Sequence, residues 1–159
     1  QLRRLFPDSP LIGIVRDGRD VVASLLSMDW RDNQGRPMAI TQDAGAAAEL
    51  WVRSVESGAR MHDDPNYLEL RYERLATDPE REIGRLFDKL GENDAAKARA
   101  IDHARHFDRT AGQSESSAER VAQPIDASAI GRWQRDLDDR QLAQIDAIAG
   151  HALRTLGYA

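Results

Sequence analysis

The chain reads as an α/β protein, a parallel sheet flanked by helices, and three stretches predict it. Leu11-Ile12-Gly13-Ile14-Val15 is a short, almost wholly apolar run rich in β-branched residues. With Pro10 before it and charges after it, the run reads as a strand buried on both faces that turns directly into a helix. Tyr67 to Tyr72 alternates polar and apolar residues and is followed by a Pro-led helical pattern, a second strand-to-helix step. Asp138 or Asp139 opens an amphipathic helix that runs through Leu142, Ile145, Ile148, Leu153 and Leu156 to Gly157-Tyr158.

Taken in order, Gln1 to Asp8 has the character of a helix end leading into the first strand, and without an initiator Met it suggests a fragment. After Val15, Asp17 is placed to cap a helix, and Asp20 stands three positions on, where its carboxylate can meet the first free N–H groups and oppose the positive end of the helix dipole. Val21, Val22, Leu25 and Leu26 then leave one apolar stripe to lie against a sheet. Such a turn between a strand and a helix commonly holds an anion. Arg16 ends the strand and Ser24 follows 8 positions later. The helical repeat returns Ser24 to the side of the helix entrance, about 10 Å along the axis, a gap that an extended Arg side chain largely spans. A phosphate there would take charge-assisted bonds from the guanidinium and one from the hydroxyl. On the local pattern the bland reading is equally open: Arg16 pairs with Asp17 or Asp20, and Ser24 solvates a helix face.

Asp29 to Pro37 is polar, holds Gly35 and Pro37, and reads as a loop. From Thr41 or Asp43 an Ala-rich segment with Leu50, Trp51, Val52, Val55 and Met61 predicts a long helix that stops at His62-Asp63-Asp64-Pro65-Asn66. After the second strand, Thr77 or Asp78 caps a helix with Pro79 in its first turn. Its apolar face is Ile83, Leu86, Phe87 and Leu90, and its stop is Gly91. Asn93 to Arg105 is a further helix carrying His103, with His106 just beyond. Two imidazoles without an acidic or third imidazole partner read as solvated helix ends rather than a metal site. Phe107 to Ile130 is mostly polar and on composition reads as a linker.

Composition narrows the function classes. The 159 residues suit one domain, 41% of them hydrophobic and 31% charged, and 22 Lys and Arg against 27 Asp and Glu give a net charge of −5. That balance disfavours a general nucleic-acid or anionic-membrane surface, so any anion site must be local. With no cysteine there is no disulfide, thiolate nucleophile or Cys-based metal site. No apolar run approaches eighteen residues and no signal-peptide pattern occurs at Gln1, so a cytoplasmic location is expected. The Ala- and Arg-rich usage looks bacterial.

Val15-Arg16-Asp17-Gly18-Arg19-Asp20-Val21-Val22-Ala23-Ser24-Leu25 resembles the 3′-phosphate-binding segment of sulfotransferases that use 3′-phosphoadenosine-5′-phosphosulfate (PAPS). The resemblance implies that Arg16 and Ser24 hold the 3′-phosphate of the nucleotide. Three further stretches follow in the family's order. Arg71-Tyr72-Glu73 with its short turn, Pro-led helix and Leu90-Gly91 is similar to a family pattern that implies Tyr72 flanks the adenine; by itself Tyr72 reads as a half-buried tyrosine at a strand end. Ser117 to Asp126, then Ile130-Gly131-Arg132-Trp133, is similar to the C-terminal nucleotide loop of tyrosylprotein and related bacterial sulfotransferases. By that likeness Ser117 steadies the sulfuryl group in the transition state. The backbone from Val121 through Gln123 and Pro124 to Asp126 lines the nucleotide, and Arg132 reaches the 3′-phosphate in place of the family's Lys. The bland reading of these residues is a Ser-rich surface loop and an Arg-Trp stacking pair. The closing helix with Leu156-Gly157-Tyr158 also resembles the family's chain end.

The resemblance thus implies the P-loop NTPase-like sulfotransferase fold over residues 1–159, with transfer of a sulfuryl group from PAPS to a hydroxyl or amine acceptor and no metal. Its partners would be the nucleotide donor and an acceptor. Sulfuryl transfer needs in-line attack and donors at the bridging oxygen of the leaving nucleotide. The family draws these from a Gly-containing 5′-phosphosulfate loop between its first strand and first helix, and its base from the following region. Neither pattern occurs in this sequence, so the strand, loop and helix that carry them are expected upstream of Gln1. A catalytically silent nucleotide-binding or interaction domain is the competing reading. A P-loop kinase fragment is disfavoured, because no Walker-type loop and no Mg²⁺-binding acid after a strand is present.

Overall fold

A computed structural model describes residues 2–102 and 125–158. These fall into two units, one from Gln1–Val15 with His62–Ala127, the other from Arg16–Met61 with Ser128–Ala159.

The first unit holds the sheet. Strand β1, Leu11–Val15, pairs in parallel with β2, Tyr67–Arg71, in the register Leu11 with Tyr67 to Val15 with Arg71. One side chain organises both strand entrances. Arg3, on helix α1 (Leu2–Leu5), donates from Nε to Asp64 at 2.6 Å, and its Nη1 meets the carbonyls of Phe6, Pro7 and Ser9. The approach to β1 is thereby tied to the turn before β2, where the Leu11 N–H reaches the Asn66 carbonyl at 2.9 Å. The strand expected to be buried on both faces is not. Val15 is buried, but Ile12 and Ile14 are 46% and 61% exposed, so burial alternates along β1. A purely apolar run does not report which face is covered, because side chains alternate across a strand whatever their polarity.

Beyond β2 the expected turn is a short helix, α4 (Tyr72–Thr77), so Tyr72 begins a helix rather than ending the strand. Helix α5, Pro79–Leu90, matches the pattern read from sequence. Asp78 accepts from Arg81 N–H, Pro79 opens the first turn, Ile83 is buried, and Gly91 closes the helix at φ +73°. Helix α6, Asp94–Ile101, is capped by Asn93, which accepts from the Ala96 N–H at 3.0 Å.

The second unit is helical. Helix α2 is Gly18–Leu26 and α3 is Ala44–Ala59, preceded by a 3₁₀ turn at Ala39–Thr41. Short helix α7, Trp133–Asp136, leads into α8, Asp139–Thr155. The core joins Val22, Ala23 and Leu25 of α2 to Ala44, Ala47, Ala48 and Trp51 of α3 and to Ile145, Ala149 and Leu153 of α8. The α2 stripe assigned above to a sheet therefore packs on helices. The alanines of α3 and α8 present low ridges that let helix axes approach closely, whereas the stripe specifies only that some apolar surface must cover it. Between α2 and α3, the expected loop carries a bridge between Arg31 and Pro37.

Helix α8 begins with a reciprocal cap. Asp138 accepts from the Gln141 N–H at 2.8 Å while the Gln141 side chain accepts from the Asp138 N–H at 2.9 Å. Asp138→Ala is expected to cost about 1 kcal/mol. Urea unfolding of the two proteins, followed by circular dichroism, measures that difference, and coincident curves would contradict it.

Candidate functional site

The site grows from the entrance of α2. Asp17 caps it, accepting from the Arg19 N–H at 2.9 Å. Its carboxylate also takes the Arg19 guanidinium in a fork, at 3.0 Å from Nε and 2.7 Å from Nη2. This carboxylate, chiefly through the hydrogen bond, raises the Arg19 pKa above its ordinary value. Arg19 lies 4.2 Å over the Trp133 ring and donates to the Tyr158 carbonyl. Gly18 makes this entrance possible, because a Cβ there would stand 2.7 Å from the Trp51 ring. The Trp51 indole N–H donates to the Arg16 carbonyl at 3.0 Å and so fixes the residue before the cap.

Asp20 does not cap the helix, contrary to its sequence position. Its carboxylate is 1% exposed and accepts two backbone N–H groups from far along the chain, Gly131 at 2.8 Å and Trp133 at 3.0 Å. The Arg16 Nη2 lies 3.8 Å from the same carboxylate and donates to the Ala129 carbonyl. Arg132, the residue between the two amides that Asp20 holds, donates from Nε to Asp136 at 2.6 Å. The Arg132 bond, with help from Arg135, keeps the Asp136 carboxyl below its ordinary pKa. Three arginines at this end of the unit are thus paired with carboxylates: Arg16 with Asp20, Arg19 with Asp17, and Arg132 with Asp136, which Arg135 shares.

Of the residues read from sequence, Arg16 and the Arg132 segment meet through Asp20. Ser24 lies one turn beyond Asp20 on the same face of α2, half-buried. Both local readings of Arg16 are therefore realised in part, since it is paired with Asp20 and also stands at the helix entrance. The stacking pair expected at Arg132-Trp133 differs in its partner, because Arg19 rather than Arg132 covers the indole. Tyr72 is half-buried at the start of α4 in the other unit. Ser117, Val121, Gln123 and Pro124, and the histidines His103 and His106, lie outside the described residues. Among the described residues no cluster of His, Asp and Glu is arranged for a metal ion, and no helix is long and apolar enough to cross a membrane. A cavity of about 230 Å³ in the second unit is lined by Arg19, Trp133, Leu142, Leu153 and Tyr158, among others; it includes neither Arg16 nor Arg132.

Sequence reasoning missed the role of Asp20 and overlooked Arg19. Only the pairing with Arg16 was legible locally, because the two backbone partners of Asp20 are 111 and 113 residues away. Arg19 carried a faint signal, an arginine two positions after a capping aspartate.

A parallel strand pair followed in each case directly by a helix defines an α/β protein. Residues 5–157 match the family described as the sulfotransferase domain, and the chain belongs to that family, with its α/β fold. It is 27% identical over 161 residues to protein-tyrosine sulfotransferase A of Caenorhabditis elegans, a match covering 99% of this chain and 41% of that protein. The chain thus spans well under half the length of that relative.

Proposed function

We propose that this chain forms part of a sulfotransferase that moves the sulfuryl group of PAPS to a hydroxyl or amine acceptor, and that the entrance of α2 binds the 3′-phosphate of the nucleotide. The observation that carries the reading is the convergence of Arg16 and the Arg132 segment on one buried carboxylate, beside a helix N-terminus. The donor set suits a phosphate. Two guanidiniums are already oriented by their carboxylates, so little ordering cost falls on binding, and Ser24 adds a hydroxyl on the same helix face. Arg16, Ser24 and Arg132 would hold the 3′-phosphate. Tyr72, against the adenine, and Ser117 with Val121, Gln123 and Pro124, around the rest of the nucleotide, are proposed on the family pattern alone. When bound, PAPS supplies an activated sulfuryl group. The residues named here bind and orient the other end of the nucleotide, and the catalytic base lies in none of them. The name of the C. elegans relative makes a tyrosine hydroxyl the first acceptor to test.

Calorimetric titration with adenosine 3′,5′-bisphosphate and with 5′-AMP tests the reading. The bisphosphate is expected to bind at least tenfold more tightly, because one additional charge-assisted contact contributes about 1.5–3 kcal/mol. Equal affinities would remove the 3′-phosphate site.

A further inference from the structure

We infer that Asp20 is the positioning residue of this site: its buried carboxylate couples the guanidinium of Arg16 to the backbone that carries Arg132, so that the two arginines act on one ligand as a unit. The inference rests on the nucleotide reading above and deepens it. Three observations lead to it. Asp20 is almost fully buried on the first turn of α2, where an acid serving only the helix dipole would sit in solvent. Its two oxygens are divided between two backbone amides, Gly131 N–H on Oδ2 and Trp133 N–H on Oδ1, which fixes the 130–131 and 132–133 peptide units on either side of the Gly131-Arg132 pair. Arg16 approaches the oxygen that Gly131 uses, at 3.8 Å, close enough for strong attraction at a buried site but too long for a direct hydrogen bond. The carboxylate therefore attracts the Arg16 guanidinium, while a direct bond from the same group goes to the Ala129 carbonyl, two residues before Gly131.

The chain from 129 to 133 is consequently held at three points by two side chains of one strand-to-helix turn. Arg19 adds a fourth hold by covering the Trp133 ring. An anion drawn to Arg16 sits beside a carboxylate that repels it, and that repulsion is tolerable because two N–H donors and a guanidinium already offset the carboxylate charge. Asp20→Asn leaves one amide facing an amide nitrogen instead of an oxygen, and frees the 131–133 backbone to drift from α2. Asn is the sharpest probe, since it keeps the shape of the side chain and one acceptor but removes the charge and the second acceptor.

The test uses the full chain with adenosine 3′,5′-bisphosphate and 5′-AMP as probes. Asp20→Asn is expected to lose at least tenfold in bisphosphate affinity while 5′-AMP affinity changes less than twofold. In an Arg16→Ala background the same substitution is expected to lose less than fivefold, because the part of its effect that acts through Arg16 is already gone and only the hold on the Arg132 backbone remains. Parallel weakening of both ligands by Asp20→Asn would make Asp20 a fold residue only and overturn the inference, as would a tenfold loss that persists in the Arg16→Ala background. Amide hydrogen exchange on the unsubstituted chain and on Arg16→Ala decides the matter if Asp20→Asn does not fold. Bisphosphate is expected to slow exchange at Gly131 and Trp133 in the former and not in the latter, and equal slowing in both overturns the coupling. Failure of the unsubstituted chain to distinguish the two nucleotides overturns the 3′-phosphate reading itself and this inference with it, an outcome separate from any result on Asp20.

Discussion

Arg16→Ala is expected to lower the affinity for adenosine 3′,5′-bisphosphate by about 10- to 150-fold and to leave 5′-AMP binding nearly unchanged, corresponding to about 1.5–3 kcal/mol for a hydrogen bond to a charged group. The upper part of that range is favoured by burial. The Arg16 side chain is 16% exposed, so solvent and salt screen its charge less than they would a surface arginine. Truncation at this position does not disturb the backbone bond from the Trp51 indole, which uses the Arg16 carbonyl. Arg16→Lys separates charge from geometry: it keeps the cation, gives up the planar fork, and should fall between the parent and the alanine variant. Calorimetric titration of the three proteins with both nucleotides reads the effect, and an alanine variant whose preference for the bisphosphate equals that of the parent would take Arg16 out of the site.

Trp51→Ala is expected to cost about 3–5 kcal/mol of folding stability. The indole is 4% exposed, packs within the core of the second unit, and lies so close over Gly18 that no side chain fits between them. Its removal opens a cavity beneath the first turn of α2 and leaves the Arg16 carbonyl without its indole donor. Trp51→Phe restores much of the apolar volume but not the donor, so it should cost less, about 1–3 kcal/mol. Urea unfolding followed by circular dichroism measures both. A loss below 1 kcal/mol for the alanine variant would mean that the helices collapse around the gap. This residue illustrates why a fold core can also serve a binding site: the ring that fills the space between α2 and α3 also fixes the carbonyl of the residue proposed to meet the phosphate.

Much of the local structure was legible because its causes are local. Asp17, Asp78, Asn93 and Asp138 each accept an N–H two or three residues on, and Gly91 adopts the left-handed conformation that ends a helix. Such contacts are encoded within one turn of chain. Tyr72 starts α4 instead of ending β2, a difference of one step, because a strand that runs straight into a helix offers no Gly or Pro to mark the change. The exposure of Ile12 and Ile14 was misread for a different reason: an apolar side chain carries the same letter whether or not anything covers it.

The sequence by itself determined the order of the two strands and the longer helices, most of the caps that bound them, and the family pattern around Arg16, Ser24, Tyr72 and Arg132. Only the tertiary structure decided what the apolar stripe of α2 packs against, which partner each arginine takes, and that Asp20 turns inward to hold the backbone beside Arg132. The physical reason is range. Caps and periodic stripes are satisfied by neighbours a few residues away. A buried carboxylate instead chooses among donors anywhere in the folded chain, and those of Asp20 lie more than a hundred residues along it.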